Sequence, residues 1–514
     1  MTTDFKRRAN EALGDSSLRT TVARSTTLLR RRRQEATAKG TSFEQLQSAA
    51  RSIRSRNLAH LPDLLAQLEE QVLANGVQVF WAEDAAAANR YIVGLAEQHR
   101  VRTAVNSQSF LSREMGLASA LQAVDVALVE TQLGDYILQL SDDRPSHRVF
   151  GALHWRKEDV AALFEKKLDM PETLNVQAMS GMVCFKLRKV FAEADLSVGA
   201  LDFSVAQTGS LVTLSNSGND RYGYALAPIH VAIMGIDQVV SSLEDVSLLA
   251  QVKTRSASGQ AMPTYLNLLH RPSRPGDPDG PVEVHLVILD NGRGNLIRWG
   301  YGDALGCIGC GACLNACPVY REVGGRAYGG GASGPIGAVT LPLMPMSSSP
   351  AGDEAGDQNG RRWFQFPGKQ VDCPNVSQSL ASVLGQTPFA DLPFASTLCG
   401  ACADVCPVGI DLPQLLIKLR SDIDGTDRTV KNQQTRRLYA WATKDSNGYR
   451  SATKWLTRLS RPFGRETISH LPPPFHAWVS GSDLPAPAQR SFRERWAERT
   501  QDSGQAVEAI DGSP

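Results

Sequence analysis

The sequence has 514 residues, enough for two or three domains. Its 54 basic and 53 acidic side chains leave a net charge of +1, so nothing in the charge balance points to nucleic acid. No run approaches the ~18 uninterrupted apolar residues of a membrane-crossing helix.

Residues 1–57 are polar and basic, with Arg30-Arg31-Arg32-Arg33, and have a loose helical rhythm. They predict a solvated helical segment packed on the body of the protein. From residue 58 to about 295 the pattern becomes α/β. Leu61, Leu64, Leu65, Leu68 and Val72 keep helical spacing behind Pro62, and Gly76 stops that helix. Val77 to Trp81 reads as a strand, and Asp84 caps an alanine-rich helix. Thr103 to Val105 is a second strand, Leu111 to Val124 a helix, and Val126 to Val129 a third strand. Strands alternating with helices at this interval predict βαβ units and a mainly parallel sheet.

Glu130 and Asp135 follow that third strand, and functional groups gather at strand ends in open α/β sheets. Pro145-Ser146-His147 and His154 come next, then a helix over Asp159 to Leu168. A further helix carries Met182, Cys184, Leu187 and Val190, with Cys184 read as a small buried hydrophobe. Alternating strands cover 202–206 and 210–214, and Asn216 to Asn219 is a turn. Pro228 to Ile233 is a buried strand in which His230 reads as a core partner rather than a ligand. Pro272 to Pro281 is a surface loop, and Glu283 to Leu289 is the last strand.

Residues 296–425 carry the chemistry. Eight of the nine cysteines lie between 307 and 406. Cys307, Cys310, Cys313 and Cys317, spaced x2, x2, x3 and closed by Pro318, form the ligand run of a bacterial-type 4Fe–4S cluster. Gly309 and Gly311 permit the close loop around a cube. In such runs the cysteine before proline serves the other cluster of a pair. The sequence supplies a second run, Cys399, Cys402 and Cys406 before Pro407, with Ser396 at the position matching Cys307. Cluster one then takes Cys307, Cys310, Cys313 and Cys406, and cluster two takes Cys317, Cys399 and Cys402. The fourth position of cluster two is open to Cys373, Ser396, a solvent or substrate atom, or nothing, the last giving a 3Fe–4S cluster. Zinc wants four ligands per site, which two interleaved Cys-Pro runs do not offer. Disulfides would need an oxidising compartment, and with no signal peptide the expectation is a cytoplasmic protein.

Gly329 to Gly334 matches G-x-G-x-x-G but follows no strand and runs into Pro335, so it is not read as a nucleotide site. Residues 346–372 read as an insertion ending at Cys373. Leu412 to Ile423 and Arg436 to Leu459 are predicted helices that could cover the clusters. Residues 426–514 are a helical extension with a polar, disordered tail.

In order along the chain, Glu130-Thr131, Leu133-Gly134-Asp135-Tyr136-Ile137, Pro145-Ser146-His147, Gln207-Thr208-Gly209-Ser210, Pro228-Ile229-His230-Val231-Ala232, Gly334-Pro335-Ile336-Gly337-Ala338 and both cysteine runs resemble the lactate utilisation protein B family. These are the iron–sulfur subunits of bacterial L-lactate oxidation systems. The resemblance implies an α/β lactate-utilisation (LUD) domain of NagB/RpiA/CoA-transferase-like fold, followed by a mainly α-helical, ferredoxin-like domain. It also implies electron transfer during oxidation of L-lactate to pyruvate. The partners it implies are two sister subunits, one cysteine-rich and one a second LUD protein, which could bring the chain to a membrane. Two features depart from the family: Asn106-Ser107-Gln108-Ser109 replaces a Lys-Ser-Lys-Ser string, and the link between the cysteine runs is longer. Two alternatives stand beside this reading. One is an electron-transfer subunit of a glycolate or heterodisulfide oxidoreductase. The other is a ligand-binding or catalytic LUD domain using Glu130, Asp135, His147 and His230, with structural clusters.

Overall fold

The α/β region folds into ten strands in the computed structural model, which describes residues 4–38, 43–107, 110–329, 332–344, 380–426 and parts of 437–499. They are β1 Gln78–Ala82, β2 Thr103–Ser107, β3 Ala127–Glu130, β4 Leu196–Ala200, β5 Phe203–Val205, β6 Ser210–Ser215, β7 Ile229–Gly235, β8 Val239–Val240, β9 Tyr265–Leu269 and β10 Glu283–Leu289. Six of them form one parallel sheet in the order β1-β10-β7-β4-β2-β3. Every residue of β4 and β7 is buried, as expected where helices cover both faces of a parallel sheet. Along β7 the side chains alternate between two cores. Ile229, Val231 and Ile233 meet Ala85, Ala88 and Ile92 of the helix Ala85–Gln98, while Ala232 and Met234 join Leu61, Leu65 and Leu68 of Leu61–Ala74. β8, β5, β6 and β9 make a second, smaller sheet.

Several predicted elements shift for local reasons. The helix expected over Leu111 to Val124 is two short ones, Phe110–Met115 and Leu117–Gln122, broken at Gly116, whose φ is +71°. β4, central in the sheet, was not foreseen. Cys184 is exposed, not buried: on the helix Val176–Ala192 the inward row is Met179, Val183, Leu187 and Phe191, and Cys184 stands one step off it.

The basic N-terminal segment departs most from expectation. It forms α1 Asp4–Gly14, α2 Ser16–Ala38 and α3 Phe43–Ala59, which wrap the cysteine segments. α2 buries Leu18, Val22 and Leu29 beside the helices Ala312–Ala316 and Pro318–Val323. Arg30, Arg31 and Arg32 face solvent, but Arg33 turns inward and donates to the Val405 carbonyl at 3.1 Å. Residues 1–426 are one compact unit and 427–514 a second. The second contains the helix Ser446–Ser460 and a ladder of Thr467–Ile468 with Leu484–Pro485. Residues 346–372, Cys373, Gln108, Ser109 and the last dozen residues lie outside the described ones.

Candidate iron–sulfur site

The first cysteine run leaves a 3₁₀ turn, Gly302–Gly306, and bends through Gly309 and Gly311, whose φ angles are +70° and +72°. Side chains also crowd both glycines. A Cβ on Gly309 would lie 2.9 Å from Arg148 Nε, and one on Gly311 2.7 Å from His147 Cε1. The loop is therefore seated on the α/β region by Arg148 and His147. Cys313 lies on the short helix Ala312–Ala316; Cys317 ends it, and Pro318 opens the next. The second run bends at Gly400, with φ +84°, and carries Cys402 on Ala401–Asp404.

Cys307, Cys310, Cys313 and Cys406 line one small cavity whose other walls include Ile308, Leu314, Ile336, Val408 and Ile410. Cys317, Cys399 and Cys402 form a neighbouring set in which Cys317 is raised by Cys399, and Cys402 by both. Cys313 is also raised by Cys402, so the two sets adjoin. The Ser396 hydroxyl accepts from Leu398 N–H at 3.2 Å, the same two-residue contact that Gly309 N–H makes to Cys307. Among the described residues, no three His, Cys, Asp or Glu side chains converge on a single ion. In a cubane each thiolate takes its own iron corner, so its ligands stand apart around the cube.

The surroundings fit such a group. Burial, then the nearby Cys307 and Cys406, push the Cys310 thiol up to about 12. Burial, then Cys317, pushes Cys402 up to about 11. Cys313 is raised well above the ordinary thiol range by burial and by its thiol neighbours. Thiols packed this way stay protonated until a cation replaces their protons, as metal sites require. Backbone N–H groups already point at sulfur: Gly309 at Cys307 (3.4 Å), Tyr320 at Cys317 (3.5 Å) and Ile410 at Cys406 (3.3 Å). Arg33, Arg54 and Lys253 stand where thiolates of the first set attract them. Asp404 is near Cys399, whose exposed thiol is lowered by the Ala401 N–H and the Thr397 hydroxyl. These basic residues carry no motif, and only the fold reveals them.

The acid and histidine candidates fall in separate surroundings. Glu130 accepts from Asn106 Nδ2 at 3.0 Å, and Asp135 pairs with Arg113 at 2.5 Å. His230 lies buried in β7, 3.2 Å from Ser197 Oγ, and burial followed by the charge of His285 lowers it to about 3. It is a core partner, as read. His147 is also buried, and its Nδ1 accepts from the Val149 and Phe150 amides at 3.1 Å each, which leaves the proton on Nε2. The Ser146 carbonyl beside it accepts from Tyr320 Oη at 2.6 Å, so the Pro145-Ser146-His147 string is a docking loop for the cysteine segments. The glycine-rich stretch serves packing: Cβ atoms on Gly334 and Gly337 would meet Leu314 and the Ala332 backbone at 2.7 and 2.8 Å.

A larger cavity, about 870 Å³, opens at the carboxyl ends of the sheet strands. Ala200 and Asp237 from the sheet side and Cys307 and Gly309 from the cluster side share its wall.

Comparison with known proteins agrees with this layout. A LUD domain model matches residues 65–289, a 4Fe-4S dicluster domain model 303–410, and the model of the lactate utilisation protein B C-terminal region 418–501. The dicluster match gives two 4Fe–4S clusters. Proteins called lactate utilization protein B are similar from end to end. That of Bacillus licheniformis is 33% identical, covering 98% of either chain; that of Shouchella clausii is 34% identical over 97% of this chain and 98% of its own; that of Bacillus subtilis is 34% identical over 96% of each.

Proposed function

We propose, for a chain that belongs to the lactate utilisation protein B family, that it is the iron–sulfur electron-transfer subunit of an assembly oxidising L-lactate to pyruvate. The observation that carries the reading is the sorting of seven thiols from two distant runs into adjoining sets of four and three beside an α/β domain. In this proposal Cys307, Cys310, Cys313 and Cys406 hold cluster one, and Cys317, Cys399 and Cys402 hold cluster two. The clusters supply one-electron transfer when bound. The chain's own residues set the conditions for it. Amide donors to sulfur and the cations Arg33, Arg54 and Lys253 offset negative charge around the first set, and apolar walls exclude water. Exposed Cys399 puts the second set at the surface, where electrons can leave or enter. The α/β region is read as a LUD domain of NagB/RpiA/CoA-transferase-like fold. The chain works in the cytoplasm with a cysteine-rich subunit and a second LUD protein, and meets any membrane through them.

The test is anaerobic addition of L-lactate to this chain alone and to its co-purified assembly. Visible absorbance should bleach in the assembly, with little turnover by the single chain. Turnover by the isolated chain at ordinary enzyme rates, roughly 1–1,000 per second, overturns the subunit reading.

A further inference from the structure

The cavity of about 870 Å³ at the strand ends carries an inference that rests on the proposed function and deepens it. Most charged groups in its wall are already committed. Arg293 is forked onto Glu114 at 2.8 and 3.0 Å and bonded to Asp237 at 2.9 Å. Arg113 holds Asp135, Lys253 holds Asp202, and Arg54 serves the carbonyls of Leu305, Gly306 and Asp237. The carboxylates therefore present little free negative charge to a visitor.

Arg148 differs. Among the described residues it makes no hydrogen bond and no ion pair, and Glu114 attracts it only through space. Its guanidinium lies 3.5 Å from the Phe110 ring centroid and lines both this cavity and the thiol cavity. A second donor in the same wall is also unanswered. Gln132 Nε2 is shielded from solvent and has no acceptor among the described residues, while its Oε1 accepts from Ser217 Oγ at 3.0 Å. A stacked guanidinium fork and a stranded amide donor call for an acceptor, and a planar carboxylate matches the fork.

We infer that this cavity is a binding site for a small organic carboxylate of the 2-hydroxy- or 2-oxo-acid class, held by Arg148 and Gln132 beside the Cys307–Gly309 loop. Its size falls within the range of small-molecule sites, roughly 300–1,000 Å³, and leaves room beside a three-carbon acid. Its place obeys the rule that open α/β sheets bind ligands at the carboxyl ends of their strands.

The test is calorimetric titration of the anaerobic, iron-loaded full chain with L-lactate, pyruvate and inorganic phosphate. Saturable binding of either carboxylate is expected. Arg148→Met and Gln132→Leu should each weaken it, by about ten- to a hundredfold for the charged contact and less for the amide. Iron and sulfide content is expected at the wild-type level in Gln132→Leu, and Arg148→Lys should restore part of the affinity. If Arg148→Met loses iron, Gln132→Leu decides. No carboxylate binding, binding of phosphate alone, or carboxylate affinity indifferent to both positions overturns the site. Lactate-dependent bleaching of the assembly that survives Arg148→Met also removes this site while leaving the proposed function standing. Carboxylate binding without bleaching in the assembly does the reverse.

Discussion

Replacing Gly325 with alanine tests whether the Pro145–His147 loop locks the α/β region to the cysteine segments. Gly325 has φ −77°, so backbone conformation does not demand glycine there. Space does. An alanine Cβ would sit 1.7 Å from the Ser146 carbonyl oxygen, 2.5 Å from its carbon and 2.7 Å from its Cα, all backbone atoms. That oxygen accepts from Tyr320 Oη at 2.6 Å, and Tyr320 is fully buried. To make room the loop must retreat by more than an ångström and abandon the hydrogen bond. Overpacking costs about 1–3 kcal/mol. Stranding a buried hydroxyl and carbonyl costs about 1–3 kcal/mol more. The sum, about 4 kcal/mol, is nearly a thousandfold in the folding equilibrium. The assay is urea unfolding of anaerobic protein followed by tryptophan emission, with iron counted per chain. Gly94→Ala and Gly181→Ala are controls: both glycines lie in helices with nothing within 4 Å of the new Cβ, so they should be neutral or gain up to about 1 kcal/mol. If Gly325→Ala unfolds at the wild-type midpoint with its iron intact, the loop is not a lock.

Three other outcomes are expected. Cys406→Ala should abolish the EPR signal of the cluster held by Cys307, Cys310 and Cys313, and Cys317→Ala that of the cluster held by Cys399 and Cys402; the opposite pattern would falsify the cross-ligation. Arg54→Met, by stranding the carbonyls of Leu305, Gly306 and Asp237, should cost about 3 kcal/mol and speed iron release to a chelator, and unchanged release would count against that role. His230, lowered to about 3, stays neutral in the fold while the unfolded chain takes up its proton below about 6.5. Stability should therefore fall on acidification from about pH 6.5 toward 4, by about 1.4 kcal/mol per pH unit for this one proton. His147, lowered to about 4 by burial, acts in the same direction. Urea midpoints at pH 7, 6 and 5 should show a slope smaller by about one proton in His230→Met, and an identical slope refutes it.

Local chemistry was legible in the sequence, and long-range placement was not. The interval, glycines and prolines of the cysteine runs marked the iron–sulfur segment before any fold was known, because those constraints act over a few residues. Glu283 to Leu289 was read to the residue, since a continuous apolar run between turn signals has few alternatives. β4 escaped because Leu196-Ser-Val-Gly-Ala200 is short and carries serine and glycine, and only burial on both faces makes it central. Cys184 was misjudged by one position on a helix whose apolar stripe lies beside it. Nothing in the arginines of the N-terminal segment distinguished Arg33 and Arg54, which turn inward, from Arg30 to Arg32, which do not. Such choices are made by tertiary contacts, not by pattern.

The N-terminal helices bear on a problem that the proposed ligation creates. Cys313 and Cys406 must meet although a long connection separates them, and closing such a loop costs entropy whether or not iron is present. Before metal binds, their thiols offer no attraction. The closure must come from packing, and α2 and α3 provide it. Arg33 of α2 donates to the Val405 carbonyl, and Gln47 of α3 to the Cys406 carbonyl at 3.4 Å. Arg51 lies against Gly409, where a Cβ would come within 2.9 Å of its Cδ. These contacts flank Cys406 on both sides. From the same segment, Arg54 reaches Leu305 and Gly306, just ahead of Cys307. One basic segment thus grips the entry to the first run and the end of the second, holding together thiols that would otherwise drift apart in the apo protein. Its positive charge then acts a second time, since thiolates formed on metal binding meet cations already in place.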